Sequence, residues 1–254
     1  MNQPARHYRD LVLVLLTKEL KLRYKFTVLG YAWSVLHPLA FALVYFILLN
    51  KIMRVDIDLL KLICAMFPWQ WFQNSVSASN NTFLGNWTLI KKVRFPRSTL
   101  VVAGVLNDLV HFGASIPVIL AFMIGLGHLP SWSWIWQVPT LIVVQLAFIL
   151  GLSLLMGTAN LFFRDLERLT SILTMLWFFA TPVLFGVEQL RRAGLEWMLY
   201  LNPMAPVVEG WRTVFLQGTL DPLLLAAAAG WALVSLGIGS LVYRRHEWRF
   251  AEIV

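Results

Sequence analysis

Long stretches without an ionisable side chain decide what this chain can become. Phe26 to Asn50 runs 25 residues without Asp, Glu, Lys or Arg, and Leu62 to Ile90 runs 29. Between Arg97 and Arg164 the sole charged residue is Asp108. Leu169 to Val187 adds 19 residues and Pro222 to Tyr243 adds 22. A helix needs about 20 apolar residues to cross a hydrocarbon core about 30 Å thick. The 97–164 interval holds two such helices, with Gly125, Gly127 and Pro130 supplying the turn between them. Of 62–90, only the first two thirds is apolar enough to span. The pattern predicts an all-α integral membrane protein with six transmembrane helices. Composition excludes the soluble alternative: 59% of 254 residues are hydrophobic and 13% charged, against about 25% charged in soluble domains.

Six spans put both termini on one side, and Lys and Arg choose it. With the N-terminus inside, 15 basic residues face the cytoplasm and 6 face out, so both termini are expected to be cytoplasmic. The net charge of +8 then reads as topology-setting loop charge rather than a nucleic-acid surface. The first 28 residues do not read as a signal peptide, because charge interrupts their apolar residues and no small-residue cleavage site follows. Tyr8, Leu11, Val12, Leu15, Leu16 and Leu22 share one helical face, and Lys18, Lys21 and Lys25 share another. This predicts an amphipathic helix lying on the inner leaflet, an anchor or a docking surface. Residues 186–221 are too long for a tight turn and too apolar for a solvated loop. Two apolar pieces, 195–201 and 207–215, flank Asn202-Pro203 and Pro206. They predict a re-entrant hairpin of two short helices at the outer face, a feature that belongs with a pathway or with a simple interfacial lid.

The chemistry of an enzyme is missing. No phosphate-loop pattern, H-E-x-x-H, nucleophile elbow or Cys/His cluster occurs, and the five histidines are scattered. Catalytic and metal-ligating residues are therefore none. The single cysteine, Cys64, lies in an apolar run and makes no internal disulfide. Asn107, Asp108 and His111 gather on one face of the third span, as a polar lining, an interhelical lock, or a hydrogen-bonded helix contact. The spans carry many aromatic rings. Tyr31, Trp33, Phe41 and Tyr45 lie on or near the first, and Trp177, Phe178 and Phe179 on the fifth. Such rings stack on the apolar faces of sugars without demanding one hydrogen-bond pattern; they also serve as packing.

Four local patterns carry a resemblance that covers nearly the whole chain: Leu29-Gly30-Tyr31-Ala32-Trp33 followed by Pro38; Phe67-Pro68-Trp69 with Phe72, Asn74 and Ser75; Asn160-Leu161-Phe162-Phe163-Arg164-Asp165; and Asn202-Pro203. With six spans and an interface helix, the chain resembles the permease subunit of the ABC exporters for lipid-linked bacterial polysaccharides, namely O-antigen, teichoic acid and capsule. The resemblance implies a homodimer in the bacterial inner membrane. It also implies two separate ATP-binding subunits, which carry the ATP and Mg; no cofactor belongs to this chain. The implied substrate is a glycan on undecaprenyl diphosphate or another lipid, with O-antigen favoured, and no nucleic acid takes part. The chain would be one permease domain over 1–254, with an interface helix (1–28), a coupling-helix region (83–97) and a periplasmic gate hairpin (186–221). Lys21, Arg23 and Lys25, with the Leu29-Gly30 turn, would hold the lipid diphosphate. Tyr31, Trp33, Phe41, Tyr45, Trp177, Phe178 and Phe179 would line the channel. Asn86, Trp87, Lys91, Arg164 and Asp165 would couple to the ATPase, and Trp197, Tyr200, Asn202 and Pro203 would form the gate. A lateral gate would open between the first and fifth spans. The competing readings are an ABC-type permease for small molecules or lipids, a lipid-linked sugar transferase, and a membrane scaffold.

Overall fold

A computed structural model describes residues 3–23, 30, 32–55, 57–93 and 95–250. The side chain of Arg23, and Lys25, Leu29 and Tyr31 entirely, lie outside the described residues. Twelve α-helices and no strand occur among those described. The first, α1 (Gln3–Arg23), lies along α6 (Ser98–Gly125) and buries Val12 and Leu15 there. Leu13 and Val14 on its other side stay exposed.

At the centre stands α3 (Leu59–Asn80). Asp58 caps it, its carboxylate accepting from the Leu60 amide at 2.9 Å and satisfying one of the orphan donors of the first turn. Around α3 pack α2 (Ala32–Phe46), α6, α7 (Trp134–Phe162), α8 (Leu166–Ala180) and α11 (Ala205–Gln217). Residues buried on all sides follow: Leu60, Cys64, Trp69 and Phe72 are essentially inaccessible. Pro38 sits inside α2, which then widens into a π-helical turn over Ile47–Ile52. After α3 come two short helices, α4 (Thr82–Gly85) and α5 (Trp87–Lys92).

The tightest seam joins α7 to α12 (Pro222–His246). Glycine makes it possible. A side chain at Gly151 would overlap the backbone of Ser235 and Leu236, and one at Gly239 would overlap the Gly151 carbonyl. Two helices in such contact gain dispersion along their length, the principal attraction available where lipid removes the hydrophobic drive. The Ser235 hydroxyl adds a bond to the Phe148 carbonyl at 2.9 Å.

Four helical stretches are long and apolar enough to cross a membrane: Ala32–Ile52, Ser98–Gly125, Trp134–Phe162 and Pro222–Arg249. The chain is a multi-pass membrane protein. The turn expected between the third and fourth predicted spans falls where Gly127 takes a left-handed φ of 84°. The other two predicted spans differ from these four for separate reasons. Helix α3 has the length, 22 residues, but Gln70, Gln73, Asn74 and its serines dilute its apolar character, and neighbouring helices rather than lipid surround it. Helix α8 has only 15 residues, or about 22 Å at 1.5 Å per residue, because the chain turns at Thr181-Pro182. Beyond that turn lie three helices where two were expected: α9 (Val187–Arg192), α10 (Met198–Leu201) and α11.

Candidate functional site

Candidate residues gather in three places along the bundle. At the α5 end, the Lys18 ammonium of α1 donates to Asn86 Oδ1 at 2.9 Å, tying the first helix to the α4–α5 segment. Trp87 and Lys91 are exposed, with the ammonium 5.2 Å from the ring centroid. A polar knot fixes this segment to the long helices: Asn160 Nδ2 donates to the Asn80 carbonyl at 2.9 Å, and the Thr170 hydroxyl donates to Asn80 Oδ1 at 3.3 Å. The ends of α3 and α7 and the start of α8 therefore meet at one asparagine. Arg164 and Asp165, beside the knot, are exposed and form no ion pair among the described residues. Lys21 is exposed as well, and Gly30 adopts φ 44°, a left-handed turn that suits a residue without Cβ.

In the middle, α2 and α8 flank α3 and present apolar faces outward. Leu36, Phe41 and Val44 of α2 are exposed, as are Leu169, Ile172, Leu173, Leu176 and Phe179 of α8. The aromatic residues divide. Trp33, Phe41 and Phe179 are 56%, 45% and 53% exposed, whereas Phe178 is buried. Tyr45 and Trp177 are half-buried. Tyr45 meets Phe178 with ring centroids 5.7 Å apart, and Phe178 meets Trp69 of α3 at 5.5 Å. One ring contact thus bridges α2 and α8 at this level. A separate cavity of about 350 Å³ opens between α2, α3 and α6, lined by Trp33, His37, Asn74, Asp108 and His111 among others. Asp108 accepts from the Ser75 hydroxyl at 2.9 Å. Its carboxylate therefore acts as the hydrogen-bonded contact between α6 and α3, while its helix face also contributes to a polar wall.

At the far end, Asn202 ties α8 to the α9–α11 segment. Its Oδ1 accepts from Trp177 Nε1 at 2.7 Å and from the Met204 amide at 3.1 Å. Its Nδ2 donates to the Ala180 carbonyl and the Thr181 hydroxyl, both at 3.0 Å. One buried amide spends four bonds joining the end of α8 to the start of α11. Pro203 follows it directly; Trp197 and Tyr200 are exposed. A second clamp was not singled out from the sequence. Arg212, 6% exposed, pairs with Glu209 at 2.6 Å and donates to the carbonyls of Pro182 and Val183 at 2.7 and 3.2 Å. The signal available was the i,i+3 spacing of opposite charges inside an apolar stretch, which a solvated segment would not need. Gln145 completes the frame: its amide donates to the Pro68 carbonyl at 2.8 Å and its oxygen accepts from Trp211 Nε1 at 2.7 Å.

Residues 10–216 match the family model described as ABC-2 type transporter. The chain belongs to the ABC-2 type transporter family. Within that family it is 38% identical over 247 residues to an O-antigen export system permease protein, RfbA, of Klebsiella pneumoniae, covering 96% of this chain and 95% of the relative. It is 33% identical over 253 residues to the RfbA of Myxococcus xanthus, covering 97% and 96%. It is 24% identical over 246 residues to KpsM of Escherichia coli, a polysialic acid transport protein, covering 92% of both chains. The match to the ABC-2 type family model includes the α1–α6 contact, the Asn80 knot and both clamps of the hairpin.

Proposed function

We propose that this ABC-2 type transporter is the channel-forming permease subunit of a polysaccharide exporter, with lipid-linked O-antigen as the foremost substrate class. The observation that carries this is the full-length likeness to the O-antigen export permeases, 38% identity across 96% of the chain. In this reading α2, α3, α6, α7, α8 and α12 are the six spans, both termini are cytoplasmic, and the membrane is the bacterial inner membrane. Helix α8 spans despite its length because its far end continues into the hairpin, which closes the periplasmic side. Two copies enclose the channel, and their exposed α2 and α8 faces meet each other and the glycan. Two separate ATP-binding subunits hydrolyse ATP with Mg.

The mechanism follows from charge and packing. Lys21, Arg23 and Lys25 attract the diphosphate of a lipid carrier at the inner leaflet, where opposite charges interact with little screening over a short range. The Gly30 turn lets the backbone approach the head group. The Asn86, Trp87 and Lys91 surface, with Arg164 and Asp165, receives the ATPase. Movement there reaches α8 through the Asn80–Thr170 bond. Because α2 and α8 touch through Tyr45 and Phe178, a small outward swing of either opens a lateral gate. Trp33, Phe41 and Phe179 then offer ring faces to the sugars, and Trp177 and Phe178 stay with the packing that moves as one piece.

Replacing Lys21, Arg23 and Lys25 together with Ala is expected to abolish surface glycan in cells that depend on this chain, while copurification with the ATP-binding subunit persists. Normal surface glycan in that strain removes the diphosphate-capture role. Normal surface glycan after deletion of the chain removes the exporter reading itself.

A further inference from the structure

A cavity of about 780 Å³ lies between the start of α3, the turn after α8, and α9 to α11. It falls inside the range of about 300–1,000 Å³ typical of small-ligand sites. Its charges are largely spent within the protein. Arg212 is committed to Glu209. Arg191 pairs with Glu196 at 2.6 Å and with Glu188 at 3.4 Å. Asp58 and Asp221 accept from the amides of Leu60 and Leu223, at 2.9 and 2.8 Å, as helix caps. Lys61 and these two aspartates make no ion pair among the described residues, so the lining holds three cationic and four anionic side chains in near balance.

Such a wall offers no concentrated positive field to hold a phosphate and no concentrated negative field to hold a cation. The neutral groups are Gln189, whose Oε1 accepts from the Gly186 amide, Thr213, whose hydroxyl donates to the Gly210 carbonyl, and Gln217 and Thr219, which meet each other at 3.5 Å. The amide nitrogens of Gln189 and Gln217 make no hydrogen bond among the described residues, and beside them stand two rings, Phe185 and the exposed Tyr200. Amides and hydroxyls beside an aromatic face fit a ligand with hydroxyls on its rim and C–H groups on its face. Ordered charge pairs around the floor fix those groups in place, so that little is lost in ordering them when the ligand arrives. We propose that this cavity is a saccharide-binding site that takes a neutral stretch of glycan, with Tyr200 as the stacking platform and Gln217 as a hydrogen-bonding edge. The inference rests on the exporter reading, in which the hairpin end faces outward, and adds to it a place where emerging sugars are held against slipping back.

The test uses the full chain in lipid nanodiscs and saturation-transfer NMR. The probe is the neutral oligosaccharide released by mild acid from the host's own surface polysaccharide, with oligosialic acid of equal length as the acidic comparison. The wild type is expected to bind the neutral probe, the acidic one at least tenfold more weakly. Tyr200→Ala with Gln217→Ala is expected to weaken neutral-probe binding at least tenfold. Gln217→Ala alone, at an exposed helix end, gives a smaller loss in a variant whose thermal midpoint matches the wild type; Tyr200→Phe retains binding. Binding unaffected by the double variant, or equal binding of the acidic probe, overturns the proposal. Absence of binding in a wild-type chain on which surface glycan depends overturns the site and leaves the exporter reading standing. Surface glycan that does not depend on the chain overturns both.

Discussion

Asn202 and Arg212 hold the end of α8 and the turn after it to α11 by different chemistry, and the difference is measurable. Truncating Asn202 to Ala strands the Met204 amide in a buried position and removes the partner of the half-buried Trp177 indole N–H and of the Ala180 carbonyl. An unsatisfied buried group costs about 1–3 kcal/mol, so this variant is expected to lose several degrees in thermal midpoint in detergent. Arg212→Met leaves Glu209 as an unpaired, half-buried carboxylate, a change bounded above by the roughly 3–5 kcal/mol of breaking a fully buried pair. The double change Glu209→Leu with Arg212→Met removes both charges and is expected to recover most of the loss. Equal destabilisation by the single and double changes would mean that the carbonyls of Pro182 and Val183, not Glu209, hold the guanidinium. At the same scale, the sequence pointed to Asn202 through its Asn-Pro pattern, and to Asp108 through its isolation in an apolar run. It concealed Arg212, because a charged residue among loop-like neighbours looks solvated until packing around it is known.

Among elements, the α7–α12 seam allows the sharpest expectation. Gly239→Leu forces the two backbones apart, and overpacking of a tight contact costs about 1–3 kcal/mol or more. The variant is expected to show a lower thermal midpoint and faster proteolysis in the 218–221 connection, whereas Gly237→Leu, which meets open space, is expected to leave both unchanged. Equal behaviour of the two would place the seam elsewhere. Helices α2, α6, α7 and α12 were legible from the charge-free runs, and their turn from Gly127, because lipid-compatible length is written directly in composition. Helix α8 and the hairpin were less legible. Thr181-Pro182 stops α8 early, and α11 becomes a core element whose Val208 and Trp211 are fully buried. That burial arises from Gln145, α3 and α12, distant residues that no local window contains.

Over the whole molecule, the proposed homodimer places the outward faces of α2 and α8 at its subunit interface. Cys64 is the sole cysteine and is buried, its thiol inaccessible beneath neighbouring helices, so introduced thiols report cleanly. Leu173→Cys, on the exposed face of α8, is expected to yield a disulfide-linked dimer in membranes under mild oxidation. Leu241→Cys, exposed on α12, is expected not to. Cross-linking through Leu241→Cys alone would move the proposed subunit interface to α12.

The same seam that binds α12 to α7 also sets an order of events during synthesis. Helix α11 rests against α3, α7 and α12 at once, yet α12 leaves the ribosome after all of them. Until it does, one flank of α11 has no companion, and the glycine groove of α7 lies open to lipid. The last long helix therefore acts as the closing piece of the assembly. A chain that stops before Pro222 has every long helix but one, and its α11 lacks the support that α12 gives it.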